Sequence, residues 1–174
     1  QRTTFLARVF QDPKLGTAPR MTVAENMLLA SKRGEKRRLM PRRLKQRMAE
    51  FTKLAAQMNN GLENRMTTPT GALSGGQRQA LSFLMATLKR PDILLLDEHT
   101  AALDPHTARN LLHATNQRIT EDHLTALMIT HHMEDALKYG NRLIVLKDGQ
   151  IKADYNAAEK AKLTVDDLYA YFEM

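Results

Sequence analysis

Cysteine and tryptophan are absent from the 174 residues, and aromatic side chains make up only 5% of them. Without cysteine there are no disulfides and no thiolate metal sites, which suits a reducing, cytoplasmic setting. Long apolar runs are missing as well. None approaches the roughly 18 to 20 residues needed to span a bilayer, and the polar start Gln1, Arg2, Thr3, Thr4 has no signal-peptide layout. Any membrane association therefore runs through a partner. Internal repeats and low-complexity linkers are lacking too. Hydrophobic residues nevertheless reach 43%, enough to bury a core in one ordinary domain. The chain opens on Gln1 instead of Met, and no cap, turn cluster or targeting pattern marks that point as a domain start, so a truncated or processed product is expected. The net charge of +7 could attract nucleic acid, anionic lipid or nucleotide phosphates, and charge does not choose among these.

The basic residues crowd between Lys32 and Arg47, around Pro41. Such a run reads first as a solvated helical face, with a polyanion-binding patch as the alternative. Helices are expected over 22–31 and 42–58, the first entered through a capping box of Thr22 and Glu25. From residue 91 short apolar runs alternate with helical segments: Ile93 to Leu96, a helix opening at Asp104-Pro105, Leu124 to Ile129, then Met133 to Tyr139. That alternation predicts an α/β fold, a parallel sheet covered by helices, with strands buried on both faces because they lack polar alternation. The dipeptide Asp148-Gly149 between Arg142–Lys147 and Gln150–Asp154 predicts a hairpin with a tight primed turn. A last helix follows Thr164, whose capping partner is Asp167.

The run Leu73-Ser74-Gly75-Gly76-Gln77 is the most informative in the chain. Ser74 can cap the following helix, Gln77 stands at the capping-box position, and Gly75 and Gly76 let a phosphate approach the helix N-terminus. An ordinary glycine-containing cap is the competing reading. Further on, Ile93 to Leu96 ends in Asp97-Glu98, two acids at the carboxyl edge of a buried strand, where open α/β sheets bind ligands. There one acid can hold magnesium and a second can orient an attacking water; the bland reading is a turn cap. The strand Leu124 to Ile129 runs into Thr130-His131-His132, bringing an imidazole to the same edge. His131 can reach a γ-phosphate, while a loop histidine or a metal ligand are the alternatives, the latter weakened because adjacent side chains on an extended segment point oppositely. Gln11, before Pro13, offers an amide to a metal or water.

Taken together, Gln11, Ser74 to Gln77, Asp97-Glu98, Ala102-Leu103-Asp104 and Thr130-His131 resemble the nucleotide-binding domain of ABC ATPases, in order and in spacing. The resemblance runs over essentially the whole chain. It implies a partial P-loop NTPase fold with a parallel sheet, an all-helical signature subdomain and a C-terminal hairpin. The implied division is 1–21 for the Q-loop region, 22–90 for the helical subdomain, 91–154 for the core with Walker B, D-loop, switch histidine and hairpin, and 155–174 for a C-terminal helix. It also implies roles: Gln11 as the magnesium-sensing Q-loop glutamine, Ser74, Gly75, Gly76 and Gln77 as the signature loop, and Asp97 as the Walker B acid. Glu98 would be the catalytic base, Asp104 the D-loop acid at the dimer interface and His131 the switch histidine. ATP and Mg2+ are the implied cofactors, with Gln11 and Asp97 holding the metal directly or through water. The implied partners are integral-membrane permease subunits, a second ATPase copy bound head to tail and, indirectly, a solute-binding protein, so the chain would sit peripherally on the inner face of the cell membrane. His99, Ala101 and His132 depart from the commonest pattern, where Pro, Ser and Asp or Asn are frequent. The strings Asp97 to Pro105 and Met133 to Asn141 resemble a bacterial importer subgroup paired with branched-chain-amino-acid-like permeases, which implies uptake of an amino acid or related small solute.

One motif of the family is missing from the 174 residues: no Gly-x-x-x-x-Gly-Lys-Ser/Thr run is present, and that loop cradles the β- and γ-phosphates. In the family it lies upstream of the Q-loop. The chain as it stands is therefore expected to be inactive and to self-associate through strand edges left unpaired. Two competing classes remain. Repair-type nucleic-acid ATPases need long heptad repeats between Gln11 and Ser74, and ribosome-acting types need a second cassette; neither is present, so nucleic acid is not an expected partner. A non-catalytic interaction module is the other class, against which Glu98 and His131 argue.

Overall fold

The computed structural model describes residues 5–36 and 43–172. They form two compact units, divided between Ile129 and Thr130.

The first unit holds a three-stranded parallel sheet of order β1-β2-β3, built from β1 (Leu6–Val9), β2 (Ile93–Asp97) and β3 (Thr125–Ile129). The register pairs Val9 with Leu96 and Asp97 with Ile129, so the ends of all three strands come to one edge. Parallel strands need long crossovers. Here the first crossover carries α1 (Val23–Ser31), α2 (Leu44–Ala56) and α3 (Gly75–Thr87), and the second carries α4 (Pro105–Glu121). The helices α1, α2 and α3 pack on one another, and α3 also packs on β1 and on the 3-10 turn Pro13–Gly16 that follows it. Phe51, Phe83, Met27, Leu62, Leu81 and Leu84 are fully buried between them, continuous with Val9, Leu94 and Leu96 of the sheet.

The local signals explain where these elements start. Thr22 closes its capping box with Glu25, and Asp104 caps α4 with Pro105 in the first turn. Asn26, fully buried on α1, accepts from Ala18 N and donates to the carbonyls of Ala18, Met21 and Thr22. It thereby organises the turn that leads into the helix. The second helix is shorter than the expected 42–58, and residue 42 lies outside the described residues, as do Arg37, Arg38 and Pro41 of the basic stretch. Of the described basic residues, Arg33 is not simply solvated: its guanidinium donates to the carbonyls of Ala86 and Lys89 and so caps the C-terminal end of α3. Lys32 pairs with Glu35, and Arg47 pairs with Glu50 while lying over the Phe51 ring.

The two-faced burial expected of every strand fails for β3. Leu127 is 54% and Ile129 53% exposed, on a strand that stands at one edge of the sheet.

The second unit contains α5 (Met133–Lys138), the antiparallel hairpin of β4 (Leu143–Lys147) and β5 (Gln150–Tyr155), α6 (Ala157–Lys160) and α7 (Val165–Tyr169). Asp148 and Gly149 both take positive φ, as a primed two-residue turn requires. The segment 155–174, expected as one C-terminal helix, instead carries two short ones, because Asn156 and Thr164 each form a capping box and each opens its own turn.

Candidate functional site

Five described residues meet at the carboxyl edge of the sheet. The alternation of β2 buries Leu94 and Leu96 and leaves the strand to end on Asp97 and Glu98. The chain turns at once: Glu98 has φ +42°, its amide donates to Ile129 O at 3.1 Å and its carbonyl accepts from Ala101 N. A non-glycine residue held in the left-handed region is uncommon, and such outliers gather at functional sites. β1 and the turn that follows it supply a partner for each acid. Arg8 forms an ion pair with Asp97, and Gln11 Nε2 donates to Glu98 Oε2 at 3.1 Å. Arg8 also lies 4.8 Å from the Phe10 ring centroid. Phe10 O accepts a 2.9 Å bond from Gln79 Nε2 on the buried side of α3.

Behind the acids, His99 is buried and its Nε2 has no hydrogen-bond partner among the described residues. Burial pushes its pKa down to about 4, so the ring is neutral near pH 7. The position where the resemblance expects proline is thus filled by a core imidazole.

A second cluster forms where α3 begins. Ser74 Oγ accepts from Gln77 N at 3.2 Å and Ser74 N donates to Gln77 Oε1 at 3.4 Å, the full capping box. Gln77 Nε2 donates to Asn60 O, and Asn60 Nδ2 donates to Gly76 O. A Cβ on Gly76 would stand 2.4 Å from Thr107 Cγ2 of α4, so only glycine lets the two helix starts approach this closely. Asp104 Oδ1 accepts from Thr107 N at 3.0 Å, and its hydrogen bonds to Thr107 hold its carboxyl below the usual range. A cleft of about 240 Å³ lies here, lined in part by Ser74, Gly76, Gln77, His106, Thr107 and Asn110. Gln11, Asp97 and Glu98 do not line it.

His131 belongs to the second unit. Its ring lies 4.3 Å from that of His132, tilted by 35°. The opposite pointing expected of adjacent strand residues does not occur, because β3 stops at Ile129 and His132 already serves as the N-cap residue of α5.

The ABC transporter family profile matches residues 2–101, more than half of the chain. The chain belongs to the ABC transporter family. A "Tyrosine transport ATP-binding protein" of Clostridioides difficile is 42% identical over 173 residues, which is 99% of this ABC chain and 68% of the relative. A "Phosphonates import ATP-binding protein" of Trichodesmium erythraeum is 36% identical over 109 residues, 63% of the chain and 43% of the relative. Among solved structures, the ATP-binding cassette MJ0796, a dimer in a post-hydrolysis state bound to ADP and Pi, superposes with a TM-score of 0.70 at 27% identity, over 88% of this chain and 63% of that one. The fold is that of the ABC ATPase cassettes, an α/β P-loop NTPase architecture.

Within this ABC chain the oxygen donors suit a hard cation. Asp97 offers a carboxylate, and Gln11, whose Nε2 is spent on Glu98, offers its amide oxygen. Among the described residues no group of three or more His, Asp or Glu side chains is placed to hold a metal by itself. One carboxylate and one amide match magnesium, which takes few protein ligands and completes its shell with phosphates and water. No helix among the described residues is long and apolar enough to cross a membrane.

Arg8 and Gln79 were not legible as site residues. Arg8 lies in a four-residue strand whose sequence has no clear alternation, and Gln79 looks like any polar residue on an amphipathic helix until its burial is known.

Proposed function

We propose that this chain is the nucleotide-hydrolysing part of the ATPase subunit of an ABC importer, with Glu98 as general base, and that the importer takes up an amino acid or related small solute. The supporting observation is the junction of β1 and β2, where Gln11 holds one carboxylate and Arg8 the other. Asp97 and Gln11 would hold Mg2+, which when bound neutralises phosphate charge and fixes the nucleotide's orientation. Glu98, aimed by the Gln11 amide on Oε2, orients the attacking water and accepts its proton. His131 would steady the γ-phosphate by hydrogen bonding. Ser74 to Gln77 present a helix start with backbone donors and positive dipole, suited to the phosphates of a nucleotide held by a second copy. Asp104 anchors the start of α4 against that loop. Permease subunits would hold the assembly at the inner membrane face.

The amino-acid reading draws on the tyrosine-transport relative and its near-complete coverage of this chain. Its check is uptake of labelled tyrosine and other aromatic amino acids by cells with and without the gene; unchanged accumulation overturns it. For the base, Glu98→Gln in the assembled transporter is expected to lower kcat by about 10²- to 10⁴-fold while ATP binding persists. Undiminished turnover would reject the assignment. The 174-residue chain alone contains no phosphate-cradling loop, so calorimetry is expected to find affinity for ATP no better than millimolar. Sub-millimolar binding would show that the other groups suffice.

A further inference from the structure

Gln79 is 1% exposed, on a helix face otherwise packed with Ala80, Phe83 and Leu84. Its Nε2 donates to Phe10 O at 2.9 Å, yet its Oε1 is buried with no hydrogen-bond partner among the described residues. An unsatisfied buried acceptor is costly, and a methionine or leucine of similar shape would avoid that cost. What the amide uniquely does is hold the Phe10 carbonyl.

That carbonyl belongs to the peptide linking Phe10 to Gln11, so a hydrogen bond on it fixes the peptide plane from which Gln11 projects. One residue on, Gln11 Nε2 meets Glu98 Oε2 at 3.1 Å. The segment is clamped to α3 again at Gly16, where an added Cβ would lie 2.8 Å from Ser82 Oγ. We propose that Gln79 is a positioning residue: by gripping the Phe10–Gln11 peptide from the helix that begins at Ser74, it sets where the Gln11 amide meets Glu98 and makes that contact depend on the placement of α3. The inference rests on the proposed role of Glu98. A shift of α3 would then be transmitted to the acid pair through the Gln79 amide.

The test uses the 13C,15N-labelled chain and the side-chain amide signals of Gln11 and Gln79. In the wild type, a scalar coupling across the hydrogen bond between Gln79 Nε2 and the Phe10 carbonyl carbon is expected, and its absence overturns the proposal whatever the variants do. In Gln79→Met, the Gln11 amide hydrogens should exchange about 10-fold faster and move toward the positions of a free glutamine amide, with the methyl signals of Leu94 and Leu96 unchanged. Gln79→Glu separates positioning from packing. When protonated, the new carboxyl can donate to Phe10 O, so the Gln11 signal should recover as pH falls and be lost again as pH rises. Gln11 signals that stay the same in folded Gln79→Met, or that ignore pH in Gln79→Glu, overturn the proposal. None of these readouts needs ATP, so failure here leaves the Glu98→Gln result standing, and failure there leaves this one.

Discussion

Gly76 and Thr107 show how one missing methyl group can determine a junction. A Cβ at Gly76 would lie 2.4 Å from Thr107 Cγ2, too close for real atoms, so Gly76→Ala must displace the Thr107 side chain or the start of α4 that carries it. Overpacking of this kind typically costs about 1–3 kcal/mol. Denaturant titration should show that loss, and Thr107→Ala in the same chain should recover most of it; no recovery would place the strain elsewhere. His99 makes a pH-dependent contribution of definite sign. Its folded pKa of about 4 lies below the ordinary 6.5, so between those values the unfolded chain binds the proton and the folded chain does not. Stability contributed by the neutral ring is complete above pH 6.5 and is lost as pH falls toward 4, by about 3 kcal/mol in all. Urea midpoints measured from pH 7 to 4 should fall less steeply in His99→Leu than in the wild type. Parallel profiles would mean that His99 is not buried in the neutral form.

The helices of the first unit depend on polar anchors as much as on their apolar faces. Asn26 makes four hydrogen bonds to the loop ahead of α1 while fully buried, so Asn26→Ala strips the half-buried Ala18 amide of its acceptor and removes the side chain that ties the loop together, although the carbonyls keep other donors. A loss of about 2–4 kcal/mol is expected by thermal or chemical melting, well above the approximately 1 kcal/mol expected of Ser74→Ala at the start of α3. Equal small losses would show that water takes over the Asn26 contacts. These starts were readable because capping is local: Thr22, Ser74, Asp104 and Thr164 each stand next to the helix they open. β1 was not readable. Its four residues become a strand only because β2, more than eighty residues away, offers a ladder for them, and a short segment with no strong pattern carries no trace of a distant partner. The last helix was found at Thr164, but the short α6 ahead of it and the stop of α2 were not, since propensity marks segments better than boundaries.

At the scale of the first unit, apolar side chains are exposed at one edge of the sheet. Leu127 and Ile129 stand more than half exposed on β3, and Ile93 is 39% exposed on its neighbour. Exposed apolar strands at an edge are templates for pairing with another chain. The 174-residue chain is therefore expected to elute and scatter as a dimer or larger species. Leu127→Lys should shift it toward monomer, because a charge on the edge opposes strand addition; a monodisperse wild-type monomer by light scattering would contradict this.

Composition, order and spacing were enough to establish the α/β class and the family, because each motif is a short local string whose meaning lies in turns, caps and strand ends. The acids Asp97-Glu98 and the amide of Gln11 could be picked out as candidates in the sequence, but not their contact. Only the folded chain decided which groups touch: that Arg8 takes Asp97 and Gln11 takes Glu98, that Gln79 holds the peptide before Gln11, and that His99 is a neutral core residue. Those contacts join residues far apart along the chain, and burial and hydrogen-bond partners are properties of packing, which no local pattern contains.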